Sequence, residues 1–209
     1  MKTKPQASIA ATLILASATA QADWSGNVGF ASDYFFRGIF QAPSSASGGL
    51  DYEQNGFYAG TWAADVGDGL EVDGYFGYGG EVQNFGYSIG YTGYFYTGDF
   101  DDTYQEINLG GSYGIASLDV AVGRYDNFDG PTLDYTYYAL TLEKNGFYGK
   151  YAGFSQDASG NYFEAGYGTS IVEVDVAISL IINDEDLDVR TGDGDEVLVF
   201  TVGKSFDIQ

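Results

Sequence analysis

The side chains in this sequence that could do chemistry are its carboxylates. Thirty aspartates and glutamates stand against eight lysines and arginines, with no histidine and no cysteine. Ten of the acids (Asp33, Asp51, Glu71, Asp73, Glu81, Glu106, Asp119, Glu164, Glu173 and Asp175) fall on the polar side of alternating segments. Arg37 and Lys150 are the basic residues in the same setting. Without an imidazole near neutral pKa, Ser-His and Asp-His hydrolytic centres and His-ligated zinc are excluded. Without cysteine there is neither a thiolate metal site nor a disulfide framework. Paired carboxylates can hydrolyse glycosides, but only across a cleft at a defined separation, and no motif here supplies one. The chain is not expected to be an enzyme. Carboxylates lined along a wall can instead concentrate cations and repel anions.

Two other constellations fall short of a site. Asp184, Asp186 and Asp188 stand at positions one, three and five of an EF-hand-like loop, with Asp195 at position twelve. Val189 replaces the glycine that the sharp turn requires, the closing glutamate is missing, and flanking helices are absent, so a solvated acidic loop is expected. Looser binding of divalent cations at a cell surface remains open for this loop. The glycine-rich stretches lack the following helix and lysine of a phosphate-binding loop. A net charge of −22 argues against nucleic acid as a partner. No cofactor and no metal are expected.

Alternating positions call for strands, whose side chains point to opposite faces with a period of two. Val172, Val174, Val176, Ile178, Leu180 and Ile182 alternate with Glu173, Asp175, Ala177 and Ser179. That run is longer than the five or six residues, roughly, of an ordinary strand. Similar alternation places Trp24, Val28, Phe30, Tyr34 and Phe36 opposite Asn27, Ala31, Asp33 and Arg37. About twelve strands are expected by this rule, near 24–37, 47–53, 57–64, 71–80, 85–96, 104–113, 116–125, 134–143, 147–154, 161–169, 171–182 and 196–206. The segments 57–64 and 134–143 are aromatic on both faces, which leaves their facing open. Connections after even-numbered strands are short (54–56, 81–84, 114–115, 144–146, 170). Most of the others are long (38–46, 97–103, 127–133, 155–160, 183–195). Every second connection being short is the pattern of an antiparallel up-and-down transmembrane β-barrel, with short periplasmic turns and long external loops. Asn55-Gly56 and Asn145-Gly146, each followed by Phe-Tyr, read as tight hairpin turns at one membrane interface.

The N-terminus supplies the address. Lys2 and Lys4 precede an apolar stretch from Ala7 to Thr19, and Ala20-Gln21-Ala22 forms a small-x-small cleavage site. Residues 1–22 therefore read as a cleaved signal peptide and 23–209 as the barrel. The signal carries two lysines and no acid, which takes the net charge of the mature chain from −22 to −24. No mature segment has 18 or so uninterrupted apolar residues, so a membrane role must use strands. The expected place is the outer membrane of a Gram-negative bacterium, with both termini periplasmic and outer-membrane lipid around the barrel. The expected function is a porin-like channel for small hydrophilic solutes, cationic or neutral. Alternatives are a non-conducting structural or adhesion barrel with acidic external loops, and a secreted β-sandwich. Nothing in the sequence identifies a subunit interface.

The segment Ser32-Asp33-Tyr34-Phe35-Phe36-Arg37-Gly38-Ile39-Phe40-Gln41 resembles the TorF family of short proteobacterial exported porins. Gly48-Gly49-Leu50-Asp51-Tyr52 and Gly56-Phe57-Tyr58-Ala59-Gly60-Thr61-Trp62 follow in the order that family shows. These cover about the first fifth of the mature chain. The resemblance implies an outer-membrane pore of unassigned substrate. It departs at the C-terminus, where Asp207-Ile208-Gln209 follow Phe206 in place of a final aromatic residue. On one strand, Asp33 and Arg37 share a face about 13 Å apart, too far to pair. Arg37 is expected to meet a carboxylate across the lumen, such as Asp51 or Asp73, and this segment to form a gate or constriction.

Overall fold

A computed structural model of the chain describes residues 23–208. The expected signal peptide, 1–22, lies outside the described residues. Fourteen strands follow one another: β1 (Asp23–Ala31), β2 (Tyr34–Phe36), β3 (Ile39–Ala42), β4 (Ser45–Gln54), β5 (Phe57–Asp65), β6 (Leu70–Val82), β7 (Phe85–Thr97), β8 (Tyr104–Tyr113), β9 (Ala116–Tyr125), β10 (Leu133–Lys144), β11 (Phe147–Gln156), β12 (Asn161–Ile171), β13 (Val174–Asn183) and β14 (Asp195–Ile208). Twelve of them, all but β2 and β3, close into a single antiparallel barrel. Its seam joins β1 to β14, from Trp24 opposite Ile208 to Ala31 opposite Thr201, and β1 pairs on its other side with β4. Closure leaves no edge of the barrel unpaired. The expected up-and-down barrel of about twelve strands is what the chain forms.

Alternation decides which side chains face out. Trp24, Val28, Phe30, Phe76, Ile89, Leu140 and Phe200 are among the exposed large hydrophobic residues. Buried residues such as Glu71, Asp73, Tyr94, Glu106 and Tyr137 fall on the opposite face. The turns on the side of the termini are two residues long. Asn55-Gly56 and Asn145-Gly146 have φ of 52° and 85°, and 55° and 81°. Both φ values positive is the type I′ geometry that suits the strand twist, as the Asn-Gly signal predicts.

Two strand boundaries differ from the expected ones by more than two residues. The first strand does not run from 24 to 37. It stops at Ala31, and β2 and β3 form a separate two-stranded hairpin. Residues 38–46 are therefore not a free external loop. The turn at Arg37-Gly38, with φ of 52° and 82°, is a two-residue reversal flanked by Phe36 and Ile39. Once the chain turns there, the extended register from Trp24 is lost. The second difference is at 170–173. β12 continues to Ile171, and the turn consists of Val172-Glu173 with φ of 51° and 62°. A β-branched residue in that region is strained, which is why turn chemistry pointed elsewhere.

The hairpin lies inside the barrel, in the half away from the termini. Phe35 and Ile39 pack on a buried cluster of Ala121, Tyr137, Ala139, Ala152, Tyr162 and Ile181, among others. The Gly38 carbonyl accepts a hydrogen bond from the Asn183 side-chain amide at 2.9 Å. Gly38 is required at this point, since a Cβ would stand 2.6 Å from the Tyr162 ring as well as sit at positive φ.

Candidate functional site: the barrel lumen

The inward face of the wall is built from carboxylates, tyrosines and glycines. Each pleat sends one side chain in and the next out, so a tyrosine on one strand meets whatever stands opposite on the next. Opposite Tyr58, Tyr75, Tyr135 and Tyr148 stand Gly77, Gly60, Gly123 and Gly166. A Cβ on any of these glycines would come within 2.2 to 2.6 Å of the facing tyrosine's atoms. The large rings therefore lie flat across glycines and fit inside the barrel, which accounts for a chain rich in both residue types.

Tyrosine hydroxyls then reach the acids. Asp51 accepts from Tyr75 at 2.5 Å and from the Asn27 amide at 3.1 Å. Glu164 accepts from Tyr148 at 2.5 Å and pairs with Lys150, directly opposite it, at 3.1 Å. Glu106 is the most fully bonded: Arg37 donates both guanidinium arms at 2.7 and 2.8 Å, Tyr94 donates at 2.8 Å and Tyr135 at 2.9 Å. The Arg37 side chain is 13% exposed and that of Glu106 is 0%. Arg37 also lies 4.2 Å over the Tyr137 ring and 4.8 Å over the Phe36 ring. Its partner is thus Glu106, not Asp51 or Asp73. The turn at Arg37-Gly38 carries the guanidinium across the lumen to β8, beyond what a position on β1 could reach.

Of the expected lumen residues, Asp51, Glu71, Asp73, Glu81, Glu106, Asp119, Lys150, Glu164 and Asp175 do stand on inward-facing strand positions. Glu81 and Asp175 are at the turn end; Glu81 is exposed, and Asp175 accepts a hydrogen bond from Ser170. Three residues are placed elsewhere. Asp33 sits in the bend between β1 and the hairpin, and Arg37 is at the hairpin tip. Glu173 is on the exposed Val172-Glu173 turn, 3.4 Å from Lys204. It is off the lumen face, because the turn falls two residues later than the alternation suggested.

The sequence reading also missed Tyr34, whose hydroxyl donates to Glu71 at 2.8 Å from within the hairpin. The signal available was Arg37-Gly38 between two aromatic runs. At the rim, Arg190 reaches back over Phe35 and Phe40 at 5.5 and 4.7 Å and pairs with Asp195. In the acidic loop, the Asp188 carboxylate accepts from the Thr191 hydroxyl and from the N–H groups of Arg190 and Thr191. These bonds, the Thr191 hydroxyl first, pull its pKa down to about 2. The aspartates there act as turn caps, and among the described residues no three acids converge to hold a metal ion.

The fold and lumen define a twelve-stranded barrel with a hairpin folded inside. The chain belongs to the family described as "Bacterial protein of unknown function (Gcw_chp)", which matches residues 15–195. No curated protein matches it. Among solved structures it is similar to OccK1 (OpdK) of Pseudomonas aeruginosa, with 13% identity, a TM-score of 0.42, and coverage of 80% of this chain and 57% of that one. OccK2 (OpdF) of the same organism has 14% identity and a TM-score of 0.43, with coverage of 92% and 69%. A BenF-like porin from Pseudomonas fluorescens Pf-5 has 9% identity and a TM-score of 0.39, with coverage of 85% and 59%. The chain spans less than two thirds of the length of OpdK and of the BenF-like porin. Identities and TM-scores this low say nothing of solute or selectivity, and the barrel here stands on its own strand pairing.

Proposed function

We propose that the chain is a narrow outer-membrane channel for passive diffusion of small hydrophilic solutes, cationic or neutral, with the β2–β3 hairpin as its constriction. One observation carries this: the barrel is apolar outside and polar inside. Trp24 and Phe76 are about half exposed on the outer face, while Glu71 and Glu106 are buried within. Such an inversion is favourable where hydrocarbon surrounds the wall and polar groups face a lumen. On this reading the termini and short turns face the periplasm, residues 1–22 are a signal peptide, and the TorF resemblance marks the constriction hairpin.

The acids named above, with Arg37 and Lys150, give the lumen an excess of negative charge, which supports cation preference. Purified barrel in a planar bilayer should conduct in discrete steps, with a reversal potential of cation-selective sign in a salt gradient. Anion selectivity would remove the charge part of the proposal, and absence of conductance the channel itself. A non-conducting structural barrel is favoured by one specific feature: Tyr94, Tyr137 and Tyr162 are almost fully buried beside the hairpin. If conductance appears only when the hairpin is removed, that second reading holds.

A further inference from the structure

The geometry points to a binding site for a hard divalent cation of the calcium class inside the barrel, between Glu71 and Asp73 on β6. It rests on the proposed channel only in that ions must be able to reach the lumen.

The fully buried Glu106 and the half-buried Asp51 and Glu164 have hydrogen-bond partners. Glu106 is satisfied by Arg37, Tyr94 and Tyr135, and its pair with Arg37 is neutral as a unit. Glu71 and Asp73 then remain beside it, with no cation paired to either among the described residues. Glu71 is 0% exposed and Asp73 is 8% exposed. Tyr34 occupies Glu71 Oε1, but Glu71 Oε2 and Asp73 Oδ1 are buried with no hydrogen-bond partner. Tyr96, directly opposite Glu71 on β7, comes near the carboxylate without closing a hydrogen bond to Oε2, and Tyr94, opposite Asp73, is committed to Glu106. Two carboxylates two residues apart on one strand share a face. Burying such groups ionised and unpaired is strongly unfavourable unless a cation or hydrogen bonds compensate them.

The donor set selects the ligand. Oxygen donors without nitrogen or sulfur suit calcium or magnesium rather than transition metals. Two carboxylates neutralise one divalent charge, and since no third acid converges among the described residues, water and tyrosine oxygens complete the shell. Calcium tolerates irregular, partly hydrated coordination better than magnesium does. A cation held there would sit against the Tyr34 end of the hairpin and fasten it to β6.

Terbium alone, added to the detergent-folded barrel, is the probe, because a bound terbium ion near Tyr34, Tyr94 and Tyr96 is excited through the tyrosines. Sensitised emission is expected in the unaltered protein, displaced by calcium and not by equal sodium. Glu71→Gln with Asp73→Asn should lose it, while Asp184→Asn with Asp186→Asn in the rim loop should keep it. Heat-modifiable gel migration checks that each variant is folded, and Asp73→Asn alone provides a milder second test. No emission from the unaltered protein, meaning that protons neutralise the pair, overturns the site. So does emission that survives the lumen double variant. A barrel that conducts without binding terbium rejects the site and leaves the channel; one that binds terbium without conducting does the reverse.

Discussion

At the scale of single residues, Arg37 and the tyrosine–glycine pairs carry the most. Arg37→Ala leaves Glu106 charged and buried, and removing one member of a buried ion pair typically costs about 3–5 kcal/mol. The expected outcome is a lower thermal unfolding temperature together with larger single-channel conductance, as the hairpin loses its anchor. Arg37→Lys should restore little, because an ammonium cannot supply the two-armed contact to Glu106 or lie flat on Tyr137. Unchanged conductance in both variants would show that the hairpin does not set the pore. Gly123→Ala puts a methyl within 2.6 Å of the Tyr135 ring. Overpacking of this kind costs about 1–3 kcal/mol, and Tyr135 would be pushed from Glu106; a fall in denaturant midpoint checks it. None of these partners could be read from the sequence. Alternation turns Glu106 inward but leaves the facing of Tyr135 open, and only the pairing of β8, β9 and β10 sets the two within hydrogen-bond reach.

At the scale of elements, turn chemistry and the inserted hairpin separate the legible from the hidden. Asn55-Gly56 and Asn145-Gly146 announce themselves because few residues tolerate two successive positive φ angles. Val172-Glu173 adopts the same geometry with unsuitable residues, and so the sequence misplaces it. Replacing this pair with Asn-Gly should stabilise the β12–β13 hairpin by about 1 kcal/mol, from relief of the positive-φ strain. The same replacement removes the ion pair between Glu173 and Lys204, which is exposed and contributes little. A rise in the denaturant midpoint is the expected result, and a fall would mean that the strain is offset elsewhere. Excising residues 34–42 and joining the ends with a short glycine linker should leave the barrel folded, since the hairpin shares no ladder with it. Conductance should rise sharply. In the rim loop, Asp188 has its folded pKa depressed to about 2. Its capping bonds are therefore at full strength above its unfolded pKa of roughly 4, and are lost as pH falls toward 2. Limited proteolysis of the loop should accelerate across that window and be insensitive to pH above it.

At the scale of the whole molecule, charge and closure act together. Residues 23–209 carry a net charge of −24, borne by loops, turns and lumen while the outer belt of the barrel is apolar. If lumen carboxylates set selectivity, the permeability ratio for cations over anions should be high in dilute salt. It should fall toward unity near 1 M, where the screening length is about 3 Å. A ratio that does not change with salt would assign selectivity to narrowness alone. The barrel itself is written in the sequence, because a period of two, tight turns and alternating connection lengths are local properties that each segment carries unaided. Most of the inward set is written there too, since facing follows from parity once a strand is placed. The interior takes its form only in three dimensions. Whether residues 32–44 extend the first strand outward or fold back within it depends on Arg37 finding Glu106, sixty-nine residues away, and on Phe35 and Ile39 finding the far wall. Those are contacts between segments, and no periodicity within either one encodes them. The unmatched oxygens of Glu71 and Asp73 belong to the same category, for an absent partner is visible only when every neighbour has been placed.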